Sequence, residues 1–398
     1  MNYRQRMLAV IKGQESDRIP FCPRLDLWYI ANKARGTLPK RFHDMTLVEI
    51  ANELDVGVHA TGTDRIFTDW RENKLAPFGI HNNPDYLYRI EVEDFPVEFH
   101  MEGGNLITRI ITDTGVISTQ LRYTAEMQNK GISGPFVDSY PINSTKDLES
   151  VGQFFEHLKV VPTPNQHSEL QNRVGDQGIA VAIGNTNASP IHLLLSNLMS
   201  TEQFFYLYMD NRKSLYQLVE QIEPIFEKTL ETAINSSAEI ILWGGNFDEK
   251  ITYPPFFEQE ILPWLKKACK RIHEAGKLAL CHLDGENNGL FPLYRIIDFD
   301  IAESVCTFPM VKNTLKDIRQ ELGNEKTVWG GIPSVALLPN SMSDSVFDNF
   351  LNDTFDQLNS GNHLILGVSD MVPPDADLNR LEKIKQKIEH FGKVKACS

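Results

Sequence analysis

His282 and Asp284 stand two residues apart at the end of an apolar, β-rich run, in LALCHLDGEN. Side chains two apart in a strand share a face, so imidazole and carboxylate would point into one space while Cys281 and Leu283 face the other way. Such a pair can ligate a metal, or act as a general base with its orienting partner. The structural alternative is a core hydrogen bond for His282 and a helix cap for Asp284. Glu303 ends the next apolar run, in FDIAESVCTF. A bare carboxylate is costly there unless it is paired or metal-bound; a salt bridge to Arg295 or Lys312 is its structural alternative. Asp370 closes LILGVSDMVPP, where helix capping explains it as well as catalysis does. One imidazole and three carboxylates suit Zn²⁺ or a harder divalent ion, or else a metal-free proton-transfer cluster.

Other polar residues follow apolar runs in the same way. Arg24 and Asp26 sit in IPFCPRLDLWY, where the arginine would clamp a carboxylate or phosphate unless it simply pairs with its neighbour. Further along come Thr61 and Thr63, Asn185 and Asn187, Trp243 with Asn246 and Asp248, Cys306, and Ser369. Asp248 joins the catalytic candidates, and Asn185 and Asn246 would orient a substrate. The aromatics Trp28, Tyr29, Trp243, Phe247 and Tyr253 would either line a pocket for a flat ligand or fill the core. His59, His192 and His363 lie in or beside apolar runs and read as core or surface residues. GxGxxG, P-loop and GxSxG patterns are absent, which argues against a nucleotide enzyme or a serine hydrolase.

What positions these residues is an alternation. Short β-rich runs at 19–25, 56–61, 179–184, 239–244, 277–284, 300–305, 327–332 and 363–367 are separated by longer segments, and amphipathic helices are expected over 254–275, 313–322 and 343–358. Strands apolar along their whole length imply a parallel sheet covered on both faces. Eight such units predict an α/β protein, a (β/α)8 TIM barrel, with a doubly wound open sheet as the other arrangement. Catalytic groups of a barrel gather at the C-terminal strand ends, where the polar residues above fall. Between about 86 and 124, glycine-bearing turns separate β-rich segments, predicting antiparallel hairpins. They form an insertion of roughly 66–167 after the second strand, a lid or dimer surface, whose Pro/Ser/Asn-rich stretch 131–167 would lead back to the barrel. The chain of 398 residues is thus read as one domain.

Composition narrows the setting. With 39 Lys and Arg against 53 Asp and Glu the formal charge is −14, unfavourable for nucleic acid or anionic membrane. The five cysteines are scattered, with no CxxC pair, as in a reducing compartment. No signal-like apolar core or membrane-length apolar run occurs, so a cytoplasmic protein is expected.

Several segments together resemble the uroporphyrinogen decarboxylase superfamily, which also holds cobalamin-dependent methyltransferases. RQRMLAVIKGQESDRIPFCP is similar to its N-terminal helix, Asp-Arg-aliphatic-Pro and first strand, and TDTGVISTQ to its hairpin segment. ITYPPFFEQEILPWLKKACKRIHEAGKLALCHLDGEN resembles the helix leading to the histidine strand, and WGGIPS and ILGVSDMVPPDADLNRL resemble the last two strands. Members that methylate thiols carry His-x-Cys on this strand and a further Cys after the last one, and those thiolates hold zinc. A related zinc barrel places a Glu about two dozen residues after that His-x-Cys. Here His282 matches the His, Asp284 replaces the first Cys and Glu303 falls near the Glu. Val368 stands about where the last Cys would be, with Asp370 two residues on. Carboxylates in place of thiolates point away from thiol methylation and toward the methyl-donor side. The decarboxylase branch carries an arginine-rich first-strand motif; PRLDLWY keeps only Arg24, a poor receptor for a porphyrinogen with eight carboxylates.

The resemblance therefore implies a corrinoid-dependent methyltransferase that demethylates a small methoxy or N-methyl compound, an O-demethylase for example, and passes the methyl group to cobalamin on a separate corrinoid protein. Catalytic roles would fall to His282, Asp284, Glu303 and Asp248, with Zn or another divalent metal on the first three. Substrate contacts would come from Arg24, Asp26, Tyr29, Asn185, Trp243, Asn246 and Asp370. Barrels of this kind often pair, so a homodimer is expected. The alternatives are a metal-free decarboxylase or lyase acting on a small carboxylic acid, with Arg24 as its anchor, and a barrel that binds without catalysing.

Overall fold

The computed structural model describes residues 1–60 and 73–396. Thr61, Thr63, Cys397 and the opening residues 66–72 of the expected insertion lie outside the described residues. The described strands are β1 (Val58–Ala60), β2 (Tyr88–Val92), β3 (Val97–Glu102), β4 (Asn105–Ile111), β5 (Val116–Arg122), β6 (Phe136–Ser139), β7 (Leu158–Pro162), β8 (Gly178–Asn185), β9 (Ile240–Gly245), β10 (Leu278–His282), β11 (Ile301–Val305), β12 (Thr327–Pro333) and β13 (Leu364–Ser369). Seven of them form one parallel sheet in the order β1-β8-β9-β10-β11-β12-β13. These are the seven later runs of the alternation. β9, β11, β12 and β13 are buried at every position, as a sheet covered on both faces requires.

The covering helices follow from local pattern. Leu315–Leu322 buries Leu315, Ile318 and Leu322 on one stripe and starts from a capping box between Thr314 and Asp317. Asp344–Asp356 likewise buries Phe347, Leu351 and Phe355 on one stripe. The expected helix 254–275 is present but interrupted: a π-helical turn, Phe257–Ile261, precedes Leu262–Glu274.

The sheet curls. His59 on β1 and Glu303 on β11 are four strands apart in sheet order, yet their side chains meet at 2.6 Å. The His59 ring also lies 4.4 Å from that of Trp329 on β12. Such contacts need the sheet to bend round on itself.

The first run, 19–25, differs from expectation. It forms no ladder strand but a single parallel bridge, Phe21 with Leu366. Pro20 and Pro23 flank that bridge and have no N–H to give, so the segment cannot sustain a ladder. What it does make reaches both sheet edges. Cys22 N–H donates to Leu366 O at 2.8 Å and Leu366 N–H to Pro20 O at 2.9 Å, while Gly57 N–H, just before β1, donates to Phe21 O at 2.7 Å.

The insertion is antiparallel, as its turns predict: β3, β4, β5 and β6 form one sheet. β2 pairs with β7 in a second, two-stranded one. The stretch 131–167 is more than a connector. It holds β6, β7 and the helix Leu148–Glu156, which buries Leu148, Val151, Phe154 and Phe155. Among the described residues no helix is long and apolar enough to cross a membrane.

Candidate functional site

His282 and Glu303 are register partners on the adjacent strands β10 and β11. His282 Nδ1 lies 2.6 Å from Glu303 Oε2, and Nε2 lies 3.5 Å from Asp284 Oδ2. Glu303 Oε1 is engaged from the other side by His59 Nε2 at 2.6 Å. The glutamate is thus held between two imidazoles, with a side chain only 2% exposed. Burial alone would push its pKa up, but the charges and hydrogen bonds of His282 and His59 outweigh that and hold it below the usual carboxylate range. Burial likewise opposes a proton on His282, yet Glu303 and Asp284 overcome it and raise the imidazole well above its ordinary value.

Local backbone features make room for this arrangement. A Cβ at Gly245, at the end of β9, would come within 2.8 Å of the His282 Cβ, so glycine is what lets the ring sit there. On β11 the pairing with β12 slips between Glu303 and Val305. Ser304 there has a φ of 61°, a left-handed conformation rare without glycine. Two consecutive residues thereby reach one network, since Ser304 Oγ donates to Asp370 Oδ1 at 2.5 Å. Asn246 is also left-handed, with φ 55°. Non-glycine residues held in this region gather at functional sites.

A second ionic group adjoins the first. Arg24 Nε donates to Asp26 Oδ2 at 3.2 Å, and Arg24 Nη1 to Asp370 Oδ1 at 3.0 Å. For Asp370 burial pulls upward, but Arg24 above all, with His282 and Ser304, keeps the carboxyl below its usual range. Both groups face one cavity of about 400 Å³ at the C-terminal strand ends, a volume fit for a small ligand. Apolar wall comes from Ile183, Leu242 and Met371, and the insertion side contributes His81 and Tyr86. Burial lowers His81 to about 4, and burial with the charge of Asp85 pushes Tyr86 up to about 12 against the pull of Arg24.

No family model matches the chain, and no curated protein sequence does either. Among solved structures, a methyltransferase from Methanosarcina mazei is similar at a TM-score of 0.52 and 14% identity, the match covering 98% of this chain and 99% of that one. The likeness is one of fold. It spans nearly the whole of both chains.

Six of the expected site residues, Arg24, Asn246, His282, Asp284, Glu303 and Asp370, line the cavity. The others lie elsewhere. Asp26 is buried behind Arg24 as the first residue of the helix Asp26–Arg35. Tyr29 is buried and donates to Met45 O at 3.1 Å. Trp243 is a core residue whose Nε1 donates to Ala188 O at 3.2 Å. Asp248 shapes the turn after β9, its Oδ1 accepting from Lys250 N at 2.8 Å. Asn185 accepts from Asn187 N at 2.9 Å and borders a smaller neighbouring void. None of Trp28, Tyr29, Trp243, Phe247 and Tyr253 lines the cavity; its aromatic wall is Tyr86.

His282, Asp284 and Glu303 do come together, but not as a metal tripod. Both Glu303 oxygens and the His282 Nδ1 are committed to hydrogen bonds with one another and with His59. Among the described residues, no group of three His, Cys, Asp or Glu side chains is arranged to hold a metal ion. The expected divalent ion therefore does not fit the arrangement present among the described residues. His59, expected in the core or on the surface, is buried and is also the second partner of Glu303. Its signal was available, because it stands at the end of an apolar run as His282 does.

Proposed function

We propose that the chain is a methyltransferase that demethylates a small methylated compound and passes the methyl group to cobalamin on a partner corrinoid protein. We further propose that its curled sheet is a (β/α)8 barrel in which the segment around Phe21 is the eighth stave. The observation that supports the reaction is the His282 imidazole, backed by a buried Glu303 and facing a small cavity. Its raised pKa favours the imidazolium form, which suits it to be an acid rather than a base. As the acceptor attacks the methyl carbon, the carbon–heteroatom bond breaks and its electron pair stays on the heteroatom. His282 Nε2 then gives its proton to that atom. Asp284 orients the ring, and Asn246 with Tyr86 orients the donor. The fold likeness to a methyltransferase agrees with this reading, as do the carboxylates standing where thiol-methylating relatives keep thiolates.

The test is methyl transfer from a panel of methoxy and N-methyl compounds to free Co(I) cobalamin, followed by the visible spectrum. The expected result is methylcobalamin formation with at least one donor, falling by about 100-fold or more in His282→Ala. No spectral change with any donor would overturn the proposal.

A further inference from the structure

The ionic groups around the cavity do not balance. Among the described residues, three carboxylates line the cavity, Asp284, Glu303 and Asp370, against Arg24 and His282, with His81 kept neutral by burial and no lysine present. Exposure sharpens the imbalance. The side chains of Asp284 and Asp370 are 28% and 29% exposed, whereas Arg24 is 13%, His282 15% and Glu303 2%. The charges most open to a ligand are the two aspartates.

Arg24 offsets only part of this. Its Nε and Nη1 are given to Asp26 and Asp370, so the one arginine that the described residues bring to the mouth is engaged by two acids rather than poised for a substrate carboxylate. The same cavity is also lined by Tyr86, Met371, Leu242 and Ile183. Carboxylates beside an aromatic face and aliphatic surface suit a cation whose charge is wrapped in methyl groups.

We propose that the ligand of this cavity is a small organic cation bearing N-methyl groups, held by Asp284 and Asp370, and not a carboxylic acid or a neutral methoxy compound. This rests on the methyl-transfer reading only for the ligand's fate; the charge selection stands on the cavity itself. For such a donor the C–N bond breaks, its electron pair stays on nitrogen, the methyl group goes to the Co(I) acceptor, and His282 protonates the amine released.

The experiment is calorimetric titration of the whole protein with three compounds of one shape: choline, its neutral carbon isostere 3,3-dimethylbutan-1-ol, and the anion 3,3-dimethylbutanoate. Choline is expected to bind at least 10-fold more tightly than the alcohol, with no binding of the anion. Asp284→Asn and Asp370→Asn should each reduce the choline-to-alcohol ratio several-fold. That ratio is internal to each variant, and far-UV circular dichroism checks that each has folded. Equal binding of choline and alcohol, preference for the anion, binding of none of the three, or a ratio unmoved in both variants overturns the inference. Transfer to cobalamin separates the two ideas. A cation preference without any methyl transfer would sink the proposed reaction alone. Transfer from a methoxy donor in a protein indifferent to charge would sink the cation alone.

Discussion

At the scale of single residues, the site depends on one buried carboxylate serving two imidazoles. Removing Glu303's charge takes away the largest of the influences that raise His282. In Glu303→Gln the alkaline fall of activity should therefore move to lower pH, with kcat reduced by about 100-fold. An unmoved limb in a pH–rate profile would mean that His282 is not the acid. Stability should follow the same pair with a definite sign. A raised histidine stabilises fully below its unfolded pKa, near ~6.5, and its contribution is lost as pH rises through the folded value. The depressed Glu303 adds stability that is present above about 4.3 and lost as pH falls through its folded value. The urea stability gap between wild type and Glu303→Gln should then be widest from about pH 5 to 6.5 and narrow above that range. Breaking a buried pair of this kind costs about 3–5 kcal/mol, which sets the size of the gap.

At the scale of elements, the positions of strand ends were readable from apolar runs, and with them Arg24, Asn246, His282, Asp284, Glu303 and Asp370. The failures have separate physical causes. Asp248 and Asn185 are strand-end residues as well, but short-range hydrogen bonds to the following backbone claim them, an outcome that residue type favours as much as catalysis. Trp243 alternates onto the outer face of its strand, away from the cavity. Ser304 was unreadable because strand alternation assigns it the face opposite Glu303; only the left-handed φ and the slipped pairing bring it to Asp370. His81 and Tyr86 come from the insertion, whose docking no local pattern encodes. Gly245 offers the test at this scale. Placing a methyl group 2.8 Å from the His282 Cβ in Gly245→Ala must shift one strand end or the other. Overpacking of this sort costs about 1–3 kcal/mol. The expected outcome is a lowered urea midpoint together with a loss of activity larger than the destabilisation explains. A variant with full activity would show that the ring's placement is not set by this contact.

At the scale of the whole molecule, the question is what holds the curl. The contacts of His59 with Glu303 and Trp329 span the interior, but they tie β1 only to strands already deep in the sheet. The two edges, β1 and β13, are addressed together by the segment around Phe21, and the proline pair that keeps it from being a ladder strand also limits it to a few hydrogen bonds. Those bonds are nonetheless placed in the core: Phe21 is 2% exposed and Cys22 fully buried. If the segment acts as the eighth stave, the amides of Cys22, Gly57 and Leu366 should open only with the global unfolding of the protein, like those of central strands. Hydrogen exchange followed by mass spectrometry or NMR reads this directly. Phe21→Ala should then lower global stability by about 3–5 kcal/mol, the range for emptying a buried phenylalanine site, and should deprotect β1 and β13 together. Fast exchange at the three amides, or loss of protection confined to the first residues of the chain, would leave the curled seven-stranded sheet intact but open, with the active-site contacts across its interior carrying the curvature alone.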